Sequence, residues 1–187
     1  MRYVSILISV YKGEVKMTDK KRKNIILIGM PGCGKSTVGV VAAKILGYSF
    51  LDADILIQNK YRKKLWELIE EHGCEDFIEM ENETLSSIDC DGFVIATGGS
   101  AVYGEGAMEH LRSIGCVVYL SLSLDKVREH IGSTGTSRGV VYRKGADLDA
   151  LYDERVPLYE RYADYTIDCN GLSVTEAARE IERIASL

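Results

Sequence analysis

The chain contains 187 residues, which is enough for one α/β domain of ordinary size but hardly for two. Its hydrophobic content of 46% and charged content of 27% are typical of globular proteins and exclude wholesale disorder. A formal net charge of −5 argues against generic binding to nucleic acids or anionic membranes, because both require a basic surface. Five cysteines without a C-x-x-C pair predict reduced thiols in a cytoplasmic protein.

Residues 1–23 differ from the rest of the chain. Their apolar run at residues 3–11 is far shorter than the roughly 20 residues needed to cross a bilayer, and no small-residue cleavage site follows it. Met17 precedes a basic segment and resembles a second start, which leaves open that residues 1–16 are not native. We therefore expect a leader at residues 1–23 and a single domain at residues 24–187.

From residue 24 onward, short apolar runs alternate with segments of helical spacing. The predicted strands are residues 25–28, 48–51, 93–96, 116–120 and 165–168. The predicted helical segments are one ending near residue 46, one reaching about residue 89, and residues 106–113, 124–131, 147–162 and 173–185. This alternation indicates an α/β fold with a five-stranded parallel sheet flanked by helices on both faces.

The segment after the first predicted strand reads GMPGCGKST and satisfies the pattern G-x-x-x-x-G-K-[ST]. Its glycines allow successive backbone N–H groups to point at phosphate oxygens, next to a helix N-terminus. We expect Lys35 to reach the β and γ phosphates and the Ser36 hydroxyl to ligate Mg²⁺. The predicted nucleotide-contacting residues are Gly32, Cys33, Gly34, Lys35, Ser36 and Thr37. A GTPase is disfavoured, because no N-K-x-D motif follows.

Two aspartates follow the second predicted strand. If the chain is still extended there, Asp52 and Asp54 lie on the same side, near the phosphates of a nucleotide. One of them could then hold the water shell of magnesium while the other engages an acceptor hydroxyl. The alternative is that an aspartate at a strand-to-helix junction serves only as a helix N-cap.

Together these residues resemble the shikimate kinase family of P-loop small-molecule kinases. The resemblance extends from residue 24 to the C-terminus and rests on the phosphate loop, Asp52 and Asp54, Gly98-Gly99, Arg138, and an R-x-P-x-Y motif beginning at Arg155. It implies a P-loop kinase fold with a helical substrate-binding region at residues 54–92 and a lid loop at residues 132–145. It also implies transfer of the γ-phosphoryl group of MgATP to shikimate, in the route to aromatic amino acids.

The resemblance assigns a role to each matched residue. Lys35, Asp54 and Arg138 are the implied catalytic residues; Asp54 orients the acceptor hydroxyl, and Arg138 closes onto the ATP phosphates. The implied acceptor-binding residues are Asp54, Gly98, Gly99 and Arg155, and the implied metal-binding residues are Ser36 and Asp52. From the sequence alone, the alternatives are that Arg138 is a solvated loop residue and that Arg155 is a surface residue of an amphipathic helix.

The residues around the implied acceptor site depart from the family pattern, which includes the motif G-E-x-x-F-R-x-x-E. Here Ile78 stands in the place of an arginine that helps to bind the shikimate carboxylate, and Ser100 stands in the place of the third glycine of a triple-glycine turn. These departures leave open a kinase of another acceptor, and a nucleotide-binding regulator remains a further alternative. We otherwise expect a monomer that binds a small-molecule acceptor, without nucleic-acid or membrane partners.

Overall fold

A computed structural model describes residues 23–134 and 147–187 of the chain. Five strands form one sheet, in which every neighbouring pair is parallel, in the order β2-β3-β1-β4-β5. The strands are β1 (Asn24–Ile28), β2 (Ser49–Asp52), β3 (Phe93–Ala96), β4 (Gly115–Ser121) and β5 (Tyr165–Asp168). This parallel sheet confirms the predicted fold class and the position of each predicted strand to within about one residue.

Seven α-helices lie within the described residues and flank the sheet. They are α1 (Lys35–Leu46), α2 (Ala53–Tyr61), α3 (Leu65–Ser86), α4 (Glu105–Ile114), α5 (Leu124–Thr134), α6 (Leu148–Tyr162) and α7 (Val174–Ala185). A 3-10 turn at Ala101–Tyr103 precedes α4 and was not predicted from the sequence. All five residues of β1 are buried, because this strand lies at the centre of the sheet and helices cover it.

The segment between β2 and β3 forms a small helical unit. Helix α3 is interrupted at Gly73, whose φ of 83° and ψ of 172° are not helical. Glycine accepts this left-handed region without a steric cost. The unit has its own apolar cluster, apart from the main core beneath the sheet, formed by Ile57, Leu65, Leu68 and Phe77.

One predicted boundary, between the helix at residues 124–131 and the lid loop, changes in the structure. Helix α5 continues to Thr134, so residues 132–134, predicted as the start of a lid loop, are helical. The rest of that predicted loop, with Arg138, lies outside the described residues, as does almost all of the predicted leader. Within residues 23–134 and 147–187, no helix combines the length and the apolar character needed to span a membrane.

Candidate active site

The loop after β1 has the backbone geometry of a phosphate-binding turn. Gly32 and Gly34 have positive φ angles of 79° and 93°, which glycine adopts without strain. The chain then enters α1, whose first residue is Lys35. The Lys35 ammonium donates hydrogen bonds to the carbonyl oxygens of Gly29 at 2.7 Å and Met30 at 2.9 Å. A buried cation and a helix N-terminus therefore meet at this loop, an arrangement suited to phosphate.

The other predicted loop residues differ in exposure. The Cys33 side chain is buried, and its Sγ lies 3.7 Å from Lys35 Nζ, so only the backbone of Cys33 is available to a nucleotide. Thr37 is exposed in the first turn of α1. On the opposite side of the loop, Nδ1 of His130 lies 2.9 Å from the carbonyl oxygen of Gly32. This contact joins α5 to the loop and was not anticipated from the sequence.

Asp52 is a helix N-cap, as one of the two alternatives predicts, and it also contacts the phosphate loop. Its Oδ1 accepts hydrogen bonds from the backbone N–H groups of Asp54 at 3.0 Å and Ile55 at 3.4 Å, which makes it the N-cap of α2. Its Oδ2 accepts a hydrogen bond from the Ser36 hydroxyl at 2.7 Å. The premise that the chain stays extended to residue 54 is wrong, because α2 already begins at Ala53.

The Ser36 and Asp52 pair also has the chemistry of a magnesium site. A hydroxyl and a carboxylate are the hard oxygen ligands that Mg²⁺ prefers, usually with several waters retained. The described residues contain no group of three or more His, Cys, Asp or Glu side chains that could hold a metal ion. With two protein ligands, a magnesium ion would take its remaining ligands from nucleotide phosphates and water, as Mg²⁺ usually does.

A second group of side chains surrounds the turn after β3. The half-buried Asp54 and the buried Glu81 both lie against Gly98, because a Cβ added there would meet Oδ1 of Asp54 at 3.1 Å and would overlap Oε1 of Glu81. Burial, with the nearby Asp52 charge, raises the pKa of Asp54 to about 6, and the Lys35 ammonium opposes this shift. Any larger residue at position 98 would displace one of the two carboxyl groups.

Arg155 lies against the second glycine of the same turn. A Cβ added at Gly99 would lie 3.1 Å from Nη1 of Arg155, and Arg155 Nε donates a hydrogen bond to the Tyr103 hydroxyl at 3.1 Å. The Arg155 side chain is only 1% exposed, so the alternative of an ordinary surface arginine is wrong. The Tyr159 hydroxyl donates to the carbonyl oxygen of Gly99 at 2.7 Å, which fixes the turn to α6.

The carboxyl group of Glu81 is the most deeply buried acid of this site, with the residue 1% exposed. Its Oε2 accepts a hydrogen bond of 2.5 Å from the hydroxyl of Ser100. Burial is the main cause that raises the pKa of Glu81 to about 7, and the nearby Asp54 charge adds to this rise. The hydrogen bond from Ser100 opposes the rise, as do the positive charges of Arg155 and Lys35. Glu81 therefore lies within electrostatic range of both the phosphate loop and the turn at Gly98-Gly99.

The structure brings most of the predicted site residues together at the carboxyl end of the sheet. Glu81, Tyr103 and Tyr159 also contribute to this site and were not predicted as site residues from the sequence. A signal for Glu81 was present, because it lies four positions after the buried Phe77 and so extends the buried face of α3. An acidic residue at such a position requires a partner. Tyr159 ends the R-x-P-x-Y motif, but its bond to Gly99 spans 60 residues and the bond between Tyr103 and Arg155 spans 52, so neither contact follows from a local pattern.

Comparison with known proteins supplies the family. The family model described as "Shikimate kinase" matches residues 31–185. A curated shikimate kinase of Clostridium botulinum (strain Eklund 17B / Type B) is 38% identical over 165 residues, covering 87% of this chain and 97% of that protein. A curated shikimate kinase of Thermodesulfovibrio yellowstonii is 35% identical over 162 residues, covering 85% of this chain and 92% of that protein.

Solved structures agree with the sequence comparison. The shikimate kinase of Acinetobacter baumannii, solved in complex with shikimate, has a TM-score of 0.78 and 31% sequence identity, covering 87% of this chain and 92% of that one. The shikimate kinase of Aquifex aeolicus has a TM-score of 0.72 and 26% identity, covering 87% of this chain and 95% of that one. The match in sequence, in fold and in the phosphate loop has one explanation: this chain belongs to the shikimate kinase family.

Proposed function

We propose that this chain transfers the γ-phosphoryl group of ATP to a hydroxyl group of a small hydroxylated acid, with shikimate as the leading acceptor. One observation carries the proposal. Asp54 lies against Gly98 and Arg155 lies against Gly99, so both contact the same two-residue turn. A carboxylate suited to orient a hydroxyl group and a guanidinium suited to bind a carboxylate thus border one turn, next to the phosphate loop.

The nucleotide half of the reaction rests on the loop after β1. The Lys35 ammonium and the N-terminus of α1 would bind the β and γ phosphates of ATP. Ser36 and Asp52 would hold Mg²⁺, which when bound supplies positive charge to the phosphate oxygens. We extend to this chain the family assignment of Arg138 to the γ-phosphate, as part of a lid within residues 132–145.

On the acceptor side, Asp54 would hold the attacking hydroxyl in line with the γ-phosphorus and accept its proton. Little covalent chemistry is required of the protein, because phosphoryl transfer depends on positioning and on neutralising charge in the transition state. Arg155 would bind the acceptor carboxylate. The carbonyl group of Gly99 already accepts a hydrogen bond from Tyr159, so the Gly99 N–H is the backbone group that we assign to the acceptor.

Ile78 favours a second candidate, a kinase of the same mechanism with a different acceptor. Ile78 is half-buried and packs against the apolar cluster of the helical unit, and it cannot replace the carboxylate-binding arginine that the family pattern has there. The loss of one charge-assisted hydrogen bond weakens binding about tenfold to a hundredfold. An acceptor without that carboxylate would not experience this loss.

We also propose that the chain acts in the cytoplasm as a monomer, without nucleic-acid or membrane partners. Within this proposal, residues 24–187 form one domain and residues 54–92 form its acceptor-binding region. A sedimentation-equilibrium experiment on the purified chain tests the oligomeric state, because a monomer gives one species near 20.7 kDa. A concentration-dependent mass of twice that value would contradict the proposal.

The experiment that tests the function is an acceptor screen that measures ADP release with MgATP. Shikimate and a panel of hydroxy acids and uncharged polyols are compared at equal concentrations, with Lys35→Ala as the inactive control. Turnover of shikimate at ordinary enzyme efficiency supports the first candidate. Turnover of another alcohol alone supports the second, and nucleotide binding without turnover of any acceptor would favour the regulator considered from the sequence.

A further inference from the structure

A buried hydrogen bond joins helix α3 to the turn after β3. The Ser100 hydroxyl donates to Oε2 of Glu81 at 2.5 Å, and both residues are almost fully buried, at 4% and 1% exposure. The two residues are 19 positions apart and lie on different elements. Hydrogen bonds to an ionised carboxylate are stronger than those between neutral groups, and they matter most where water is excluded.

The Glu81 carboxyl group also packs against the backbone of the turn at Gly98. A Cβ on Gly98 would overlap Oε1 of Glu81, so the backbone of the turn rests directly on this carboxyl group. The charged groups that act on Glu81 from neighbouring elements are Asp54, Arg155 and Lys35. We therefore expect a change in the orientation of Glu81 to move the backbone of Gly98 and Gly99, the turn that Asp54 and Arg155 both contact.

The residue at position 78 determines which side chains can hold the Glu81 carboxylate in this chain. Ile78 precedes Glu81 by three residues on α3, so the two side chains are neighbours on one helix face. A cation at position 78 would lie beside the Glu81 carboxylate, but isoleucine offers it no polar group. Among the described residues, the side chain of Ser100 donates a hydrogen bond to Glu81 from a different element.

We propose that Ser100 is a positioning residue for the acceptor, which fixes Glu81 and thereby holds the Gly98-Gly99 turn in place where an arginine at position 78 is absent. This inference rests on the proposed phosphoryl transfer, because it assigns Ser100 to the acceptor half of that same site. It also predicts that the effect is confined to the acceptor: the hydroxyl of Ser100 supports acceptor binding and leaves nucleotide binding unaffected.

The first test compares Ser100→Ala with the unmodified chain, using the acceptor that the screen identifies. We expect the acceptor KM to rise about tenfold, the scale of one hydrogen bond to a charged group, with the KM for ATP unchanged. In an Ile78→Arg background the same substitution should raise the acceptor KM less than about twofold, because the new guanidinium binds Glu81 instead. Equal effects in both backgrounds would overturn the inference.

Thr84→Ala is the matched control. Thr84 is also a buried residue of α3, but its hydroxyl donates to the carbonyl oxygen of Met80 at 2.7 Å and accepts from Lys60 at 3.2 Å, rather than bonding to Glu81 or to the Gly98-Gly99 turn. This variant should lower the free energy of unfolding and leave the acceptor KM unchanged. If Thr84→Ala raises the acceptor KM as much as Ser100→Ala does, the effect of Ser100 is general destabilisation and the inference fails.

A second measurement does not depend on turnover. Carbon-13 NMR titration of the Glu81 carboxyl group, assigned by its loss in Glu81→Gln, compares the unmodified chain with Ser100→Ala. Because the Ser100 hydroxyl stabilises the ionised form, its removal should raise the pKa of Glu81. An unchanged pKa would overturn the inference even in an active enzyme. A raised pKa in a chain that phosphorylates no acceptor would instead show that the proposed function has failed.

Discussion

The site has two halves: the phosphate loop at residues 29–37, and an acceptor half formed by Asp54, Glu81, Ser100, Arg155 and the Gly98-Gly99 turn. The contacts that hold these two halves together differ in range. In the phosphate loop, Lys35 makes its hydrogen bonds to Gly29 and Met30, which are six and five residues away. In the acceptor half, Ser100 reaches Glu81 across 19 residues and Tyr159 reaches Gly99 across 60. A local motif depends on the backbone of one turn, whereas the acceptor half depends on the packing of several elements. The acceptor half can therefore change by single substitutions while the phosphate loop stays intact.

The two halves also differ in charge. The phosphate loop combines one buried ammonium group with a helix N-terminus, both of which attract anions. In the acceptor half, Asp54 and Glu81 lie against Gly98 and Arg155 lies against Gly99. We therefore expect acceptor recognition to depend on the balance between two acids and one base, and substitutions beside these groups to change the preferred acceptor.

The largest expected effect is in the phosphate loop. Lys35→Ala removes the ammonium group that we propose binds the phosphates, together with its two hydrogen bonds to the loop. We expect kcat/KM to fall by more than about a thousandfold, since one electrostatic donor alone contributes 10²–10³. Steady-state ADP release measures this loss. Activity within tenfold of the unmodified chain would show that the loop does not act on the phosphates.

The next largest effect lies where the two halves meet. Asp54→Asn keeps the size of the side chain but removes its negative charge, so the acceptor hydroxyl loses its proton acceptor. We expect kcat to fall by about a hundredfold to a thousandfold, the contribution of a positioned general base. The dissociation constant for ATP, measured by calorimetry, should change little. A kcat close to that of the unmodified chain would contradict the assigned role of Asp54.

The contrast between the halves also explains what the sequence could predict. The glycines and the lysine of the loop lie in one stretch of nine residues, so their geometry follows from the motif and its flanking elements. Alternating apolar and helical segments likewise predicted the five parallel strands. In both cases the determinants are near one another in the chain.

The acceptor half was predicted only in part, for a physical reason. The sequence could not decide whether Arg155 was a surface residue, because its burial results from packing between α6, Tyr103 and the Gly98-Gly99 turn. Nor could it reveal that Asp52 both caps α2 and binds Ser36. Contacts between distant segments depend on the final packing, and local residue patterns carry little information about them.

A third prediction concerns the buried acid of the acceptor half. The pKa of Glu81 is raised by burial to about 7 from an ordinary 4.5, so the folded state retains a proton that the unfolded chain releases. As the pH rises from 4.5 to 7, Glu81 should lower the free energy of unfolding by about 3 kcal/mol, a factor of roughly 100 in the folding equilibrium. The phosphate loop has no comparable acid among the described residues.

Urea unfolding of Glu81→Gln and the unmodified chain at several pH values measures this contribution. Relative to the unmodified chain, Glu81→Gln should gain stability between pH 4.5 and 7 and change little beyond that range. Glu79→Gln, an exposed position on the same helix, is the control and should show no such trend. A stability difference for Glu81→Gln that is flat with pH would contradict a raised pKa at this site.

The smallest predicted effect is the most informative about the acceptor. Ile78→Arg restores a guanidinium beside Glu81, on the helix that borders the acceptor pocket. If the acceptor is shikimate, its carboxylate gains a charge-assisted hydrogen bond and its KM should fall about tenfold, with the KM for ATP unchanged. Ile78→Lys is the matched control, because it adds the charge without the planar fork and should recover less affinity. A KM for shikimate that is unchanged or higher in Ile78→Arg would indicate that the pocket, unlike the phosphate loop, has diverged toward an acceptor without that carboxylate.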